Sequence, residues 1–267
     1  MEVTPKTRSS LRDLYRLHRA WTRKYSFNNL NALLNGAPGL CPGTISSALR
    51  RYGGGYCHEL NTWFRAELEI AGFKCSPHLA IVLYGAGNAT QRPSHLVSIV
   101  HVEDAEYLCD TGFGLGLLWP LRLERIGVSQ SQHTLSFRIV GEEGGRILQL
   151  RVNGGWCDMY QFPEQTAYEE EIIAANVFSS MSPDSFVSSN LVATRYVGGR
   201  RKSLVNTRYQ DPVCGGAVRL ESAGQLSHCL AQNFGVNLTT KEALAAFRVA
   251  AKADRYPSPN EILQTST

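Results

Sequence analysis

A single cysteine stands between a glycine run and a helical pattern in Gly53-Gly54-Gly55-Tyr56-Cys57-His58-Glu59-Leu60-Asn61. The start of a helix is where a thiol most readily becomes a thiolate, because the dipole and the unpaired backbone N–H groups there stabilise negative charge. A cysteine nucleophile also needs a base and a group that orients the base. His95 and Asp110 supply those two types further along the chain. The chemistry they would perform with Cys57 is acyl transfer through an acyl-cysteine. Glu59 and Asn61 add polar groups that would brace the same turn.

The spacing of His95 and Asp110 can be tested for reach. Residues 96–102 and 105–110 read as a hairpin with Glu103-Asp104 as its turn. A two-residue turn pairs positions whose numbers sum to 207, so Val97 faces Asp110 and His95 faces Gly112. His95 and Asp110 then share one face as diagonal neighbours, at roughly 7–8 Å between backbones. A turn one residue longer or shorter would put them on opposite faces. In the expected register Asp110 fixes the imidazole tautomer and His95 deprotonates Cys57.

The other histidines are weaker candidates. His58 follows the nucleophile, but one helical step turns it away by about 100°. His78 has no orienting acid beside it, and His101 sits at the turn end of its strand. Cys41, Cys75, Cys109, Cys157, Cys214 and Cys229 read as inert thiols, the ordinary state of a lone cysteine. Taken alone, Thr111-Gly112-Phe113-Gly114 reads as a turn after the acid; its glycines would also let a ligand approach the backbone.

Around these residues the pattern changes from helical to strand-like and back. An amphipathic helix is expected over residues 7–23, where Leu11, Leu14, Tyr15, His18 and Trp21 recur at three- and four-residue steps. Residues 26–34 read as a turn and a short helical stretch, and Pro38, Gly39, Pro42 and Gly43 as a loop. Thr44 is the expected cap of a helix over 45–51, stopped by the glycines 53–55. The next helix should run over 57–71, burying Leu60, Trp63, Phe64 and Leu68 and ending at Gly72. Strand-like runs follow at 78–84, 96–102, 107–110, 134–140 and 147–152, with Asn153-Gly154-Gly155 a strong turn signal, and imply an antiparallel sheet or barrel. Residues 165–190 are rich in Ser and Asn with room for helical stretches. A strand over 191–196 meets the turn Val197-Gly198-Gly199-Arg200 and returns over 202–209. A helix over 240–253, capped by Thr239 or Thr240, precedes a polar, frayed tail at 256–267.

Composition narrows the function classes. The 267 residues carry a formal charge of +4, too small and too dispersed to point to nucleic acid. The densest basic stretch, Arg195 to Lys202, reads as a solvated loop. Seven cysteines at irregular spacing, with no Cys-x-x-Cys pair, argue against a disulfide framework and against a structural metal site. Residues 1–23 are too charged for a secretory leader, and no apolar run approaches the length of a membrane span. A cytoplasmic protein is expected, with neither nucleic acid nor a membrane as partner.

Three motifs then carry a resemblance. Gly54-Gly55-Tyr56-Cys57-His58-Glu59-Leu60-Asn61, Ser94-His95-Leu96-Val97 and Leu108-Cys109-Asp110-Thr111-Gly112-Phe113-Gly114 resemble the arylamine N-acetyltransferases, in the same order and at similar distances. Ser26-Phe27-Asn28-Asn29-Leu30 is similar to that family's Pro-Phe-Glu-Asn-Leu element, and Trp119-Pro120-Leu121 to its segment after the acid. Residues 156–162, Asn176-Val177-Phe178-Ser179-Ser180 and Gly199-Arg200-Arg201 with Ser203-Leu204 extend the likeness over most of the chain.

The resemblance implies an α+β fold with a cysteine-protease-like triad core. Its parts would be a helical bundle at 1–72 carrying the nucleophile, an antiparallel β-barrel at 73–187 carrying His95 and Asp110, and an α/β lid at 188–267. It implies a Cys57-His95-Asp110 triad that moves an acetyl or other acyl group from acetyl-CoA, or another acyl thioester, to an arylamine or related amine. The reaction would be ping-pong and need no metal. Phe113 would line the acceptor pocket, with Gly112 and Gly114 near the acyl donor. The rivals are an amide synthase fed by an acyl carrier protein, a cysteine hydrolase, and a binding protein on an inactive version of the fold.

Four positions depart from the family pattern. Gly53 stands where an arginine is usual, His58 where an aromatic is usual, and Ser26 and Asn28 replace Pro and Glu. None is one of the three triad positions.

Overall fold

The computed structural model describes residues 9–85, 92–213 and 216–254. The chain begins with α1 (Leu11–Lys24), β1 (Ser26–Asn28), α2 (Leu30–Asn35), α3 (Pro42–Tyr52), β2 (Gly54–Gly55) and α4 (Cys57–Ile70). The middle runs through β3 (Lys74–Val82), β4 (His95–Val102), β5 (Ala105–Cys109), β6 (Leu121–Arg122), β7 (Gln130–Gln132), β8 (Leu135–Glu142), β9 (Gly145–Val152) and β10 (Gly155–Phe162). The last part holds α5 (Glu169–Met181), α6 (Phe186–Ser189), β11 (Val192–Val197), β12 (Arg200–Val205), β13 (Arg208–Gln210), β14 (Ala217–Arg219), α7 (Ala223–Phe234) and α8 (Thr240–Ala253).

Eight strands form one antiparallel sheet in the order β6-β5-β4-β3-β10-β9-β8-β7, which curls into a nearly closed barrel. Two glutamines bridge its edges. Gln130 exchanges hydrogen bonds with the backbone of Arg122, and Gln132 does the same between Leu118 and Trp119. This covers edge groups that would otherwise stay unpaired. The β4–β5 hairpin has the register read from sequence: Val102 pairs Ala105 and Ser98 pairs Cys109, both summing to 207. Glu103 in its turn takes a left-handed φ of 56°.

Strand β4 is buried on both faces, with only His101 exposed. Val97 and Ile99 point into the barrel core with Leu108, Phe137, Leu148 and Tyr160. Val100 and Val102 point outward, against Leu14 of α1 and Phe64 and Leu68 of α4. Burying a side chain such as Phe64 is worth about 2–3 kcal/mol relative to exposing it, so this second cluster fixes α4 on the barrel wall. By alternation His95 lies on the interior face with Val97. Asp110, just past β5, follows the interior parity of Leu108.

The second sheet has the order β14-β13-β12-β11-β1-β2. Strands β1 and β2 come from the N-terminal third, so that third is not purely helical. Phe27 of β1 pairs Thr194 of β11, and Gly55 of β2 lies beside Phe27 in parallel. The glycine run therefore has a structural reason. A Cβ on Gly54 would collide with the Ser26 backbone, and Gly53 has φ +62° with its would-be Cβ 2.5 Å from the Gly235 carbonyl. An arginine at position 53 would need that strained backbone and that space.

Several expected elements differ. The helix expected at 45–51 begins at Pro42, with proline at its first turn and Cys41 rather than Thr44 at the cap. Strand β10 pairs β9 around the Asn153-Gly154 turn and is absent from the strand-like runs read in the sequence. The return over 202–209 is two strands, because Asn206 adopts φ 56° and turns the chain between β12 and β13. Helix α7 was not anticipated; Ser222 caps it and Leu226, Leu230 and Phe234 bury one face in the lid core. Helix α8 matches 240–253, with Thr239 as its cap. The expected start of α1 at residue 7, the tail at 256–267 and Cys214 lie outside the described residues.

Candidate active site

Cys57 is the first residue of α4, and its backbone sits at the positive end of that helix. Glu59 closes the turn by accepting the Tyr56 N–H at 3.2 Å, while its other oxygen accepts Asn31 Nδ2 at 2.7 Å. This carboxyl is buried, which raises it to about 7. Tyr56 is pinned in turn by Asn176 of α5.

His95 and Asp110 meet inside the barrel mouth. His95 Nε2 lies 2.8 Å from Asp110 Oδ2, with both side chains buried. Asp110 has further partners. Oδ1 accepts Asn61 Nδ2 at 2.8 Å and the Gly112 N–H at 2.9 Å, and Oδ2 accepts the Tyr160 hydroxyl at 2.9 Å. The Asp110 N–H donates to His18 Nε2 at 3.3 Å. Burial opposes the charged carboxylate, but His95, Asn61 and Gly112 outweigh it and hold Asp110 below the usual carboxylate range.

Asn61, one turn after Cys57, ties the helix to this network. Its Nδ2 also donates to the Leu96 carbonyl at 2.6 Å, and its Oδ1 accepts the Thr111 N–H at 2.8 Å. The imidazole of His95 is held between rings, with centroids 5.0 Å from Phe113 and 4.9 Å from Tyr160. Gly112 packs on the nucleophile itself: a Cβ there would lie 2.7 Å from Cys57 Cα and 2.8 Å from Asn61 Nδ2. Gly114 faces Phe27 and Thr194, and a Cβ there would lie 3.3 Å from Phe27 Cδ1, a tight contact that the ring would have to relieve. Phe113 and Gly112 thus border His95 and Cys57, while Gly114 lies against Phe27 and Thr194.

Burial alone would raise the Cys57 thiol. The charge and hydrogen bonding of His58, then of His95, outweigh that and lower it. Burial would likewise depress His95, but Asp110 and Cys57 outweigh it and raise the imidazole. The combined electrostatics favour a thiolate beside an imidazolium.

One expectation fails here. His58 does not turn away from the nucleophile: its Nδ1 lies 3.3 Å from Cys57 Sγ. The two Cβ atoms diverge as helical geometry requires, but Nδ1 is the first ring nitrogen beyond Cγ and reaches back to the sulfur. Of the remaining histidines, His78 bonds Ser76 and the Pro163 carbonyl, and His101 pairs with Glu106 at the surface. His18 and Tyr160 were not singled out as site residues. His18 sits on the buried stripe of α1, and burial lowers it to about 4, which keeps it neutral as an acceptor. Tyr160 comes from a strand the sequence did not reveal.

Among the described residues no group of three or more His, Cys, Asp or Glu is placed to hold a metal ion, and no helix is long and apolar enough to cross a membrane.

Comparison with known proteins identifies the family. A family model described as N-acetyltransferase matches residues 10–243. The arylamine N-acetyltransferase / N-hydroxyarylamine O-acetyltransferase of Salmonella typhimurium is 30% identical over 255 residues, covering 90% of this chain and 89% of the relative. The solved Salmonella typhimurium enzyme superposes with a TM-score of 0.81 at 28% identity, over 90% of this chain and 92% of its own. Mycobacterium marinum arylamine N-acetyltransferase in complex with CoA superposes with a TM-score of 0.82 at 26% identity, over 89% and 92%. Fold and sequence together define an acyl-group transferase. The chain belongs to the arylamine N-acetyltransferase family.

Proposed function

We propose that this protein transfers an acetyl or other acyl group from a CoA thioester to an arylamine or related amine, through an acyl-Cys57 intermediate. The Cys57 thiolate attacks the thioester carbonyl carbon. The bond from that carbon to the CoA sulfur breaks, and the departing sulfur takes the proton carried by His95. The amine then attacks the acyl-Cys57 carbonyl while His95 accepts the amine proton. The carbon–Cys57 bond breaks and the thiolate returns. General base catalysis of this kind contributes about 10²–10⁴-fold.

Asp110 fixes the His95 ring and stabilises its charged form. Phe113 shapes the acceptor side and keeps water from the thioester, while Gly112 and Gly114 leave the backbone open beside the acyl donor. The observation that carries this reading is the buried Asp110–His95 hydrogen bond of 2.8 Å, set against a helix-start cysteine whose thiol is lowered by its imidazole neighbours.

The test is intact-mass spectrometry after mixing with acetyl-CoA. The expected result is a gain of one acetyl group that Cys57→Ala abolishes and an arylamine discharges. An adduct formed only from a longer acyl thioester on a carrier protein would shift the donor to the amide-synthase class. Rapid loss of the acyl group to water, with no amide product, would mark a hydrolase.

A further inference from the structure

We propose that His58 is a second catalytic partner of Cys57: its Nδ1–H donates to the sulfur, holds the free thiolate, and makes that sulfur a better leaving group when an amine breaks the acyl-Cys57 thioester. The leaving-group role rests on the acyl-transfer reading above; the hold on the sulfur does not.

The geometry carries the inference. Nδ1 lies 3.3 Å from Sγ, within reach of an N–H···S bond, and the whole side chain is buried. Nε2 is buried with no hydrogen-bond partner among the described residues. An imidazole that serves only as packing does not need a nitrogen there, and leaving one unpaired costs stability. If Nδ1 carries the proton, Nε2 is a bare lone pair, which is less costly than a buried unpaired N–H of an imidazolium. In that tautomer His58 gives its N–H to the sulfur, while the Asp110 carboxylate stands against His95.

The titratable groups that face this sulfur and its partners come from every side of the pocket. Tyr56 and Glu59 share the turn of α4, His95 comes from β4, and Asp110 stands behind it with Tyr160 of β10 and His18 of α1. His58 and His95 are the two imidazoles that act on the sulfur, and both lower it.

An N–H donor matters most when the sulfur is anionic. In the thioester the sulfur is a poor acceptor, so the bond strengthens as the carbon–sulfur bond breaks and its electron pair returns to sulfur. Stabilisation that grows along the reaction speeds that step rather than binding. The amine proton goes to His95, as before, so His58 needs to move none.

The experiment compares wild type with His58→Phe, which keeps a ring of similar shape against Tyr56, and His58→Asn, whose Nδ2 can stand where the imidazole Nδ1 stands. Ultraviolet thiolate absorbance of Cys57 is titrated in each, as a difference against the same protein carrying Cys57→Ser. Single-turnover rates are then measured for acylation by acetyl-CoA and for discharge to aniline. His58→Phe should raise the thiolate midpoint by about one pH unit and slow discharge about tenfold more than acylation, the size of one hydrogen bond to a charged group. His58→Asn should recover most of both. The proposal is overturned if His58→Phe titrates with wild type, or if Phe and Asn shift the midpoint equally, which is what packing alone would do. A shifted midpoint in a protein that forms no acyl-enzyme from any thioester would sink the acyl-transfer reading and leave the hold on the sulfur standing.

Discussion

Cys57 and Cys109 are both buried, and they are opposite in character. Cys57 opens α4, and Cys109 closes β5 immediately before the acid. Both are almost wholly withdrawn from water. Cys109 packs among Leu14, Phe64, Val100 and Tyr107, where burial, then Cys75 and Asp110, push its thiol well above the ordinary range. Cys57 bears the same kind of burial cost, yet His58 and His95 reverse it. The contrast shows that depth does not make a thiol reactive or inert. A few ångströms of backbone decide whether the sulfur meets imidazoles and a helix start or an apolar cluster.

The contrast can be broken most severely at the sulfur. Cys57→Ala should reduce acyl transfer by more than about 10⁴-fold, since removing a nucleophile leaves only binding and positioning. Retained amide formation in steady-state assays would remove Cys57 from the chemistry. Asp110→Asn should cost about 10³–10⁴-fold in kcat by releasing the tautomer and charge of His95. It should also change how stability depends on pH. The Asp110 carboxyl is depressed below its ordinary 3.8, so its contribution is present above that value and is lost as pH falls through the folded-state value. The His95 imidazole is raised above 6.5, so its contribution is present below that pH and is lost as pH rises through the folded-state value. Thermal melts from acid to neutral pH should therefore show an acid-side loss in wild type that is smaller in Asp110→Asn. Parallel curves would contradict the pairing.

Smaller effects sharpen the same comparison. Gly112→Ala pushes on Cys57 Cα and Asn61. A displacement of about 1 Å at a reacting centre costs on the order of 10²-fold, and kcat should fall by that much. Unchanged kcat would mean that the segment yields freely. Cys109→Ala should leave kcat within about twofold while lowering stability by about 1–2 kcal/mol, the cost of a small cavity. A large loss of rate, measured alongside denaturant unfolding, would mean that the second cysteine takes part in the reaction.

Much of this site is legible in the sequence because its signals are local. The glycine run and the period after it place Cys57 at a helix start. The two-residue turn at Glu103-Asp104 fixes the parity that puts His95 and Asp110 on one face. Asn61 could be read as a brace for its turn, but its bond to Asp110 depends on how α4 lies against β4. Tyr160 and His18 were illegible for the same reason. Each reaches Asp110 across a long stretch of chain, and neither residue type nor spacing announces such a contact. The misreading of His58 is a different lesson. Helical geometry fixes where Cβ points, not where a ring nitrogen two bonds further on comes to rest. In the lid, α7 escaped notice because its apolar face is carried by Leu226, Leu230 and Phe234 amid small and polar residues.

The most direct test of the central claim is alkylation by iodoacetamide read separately at Cys57 and Cys109 by peptide mass spectrometry across a pH series. Cys57 should be labelled well below the region near 8.5 where a free thiol ionises, roughly. Cys109 should stay unlabelled until the protein is unfolded. Labelling of Cys57 that follows the free-thiol curve, or equal labelling of both sulfurs, would contradict it.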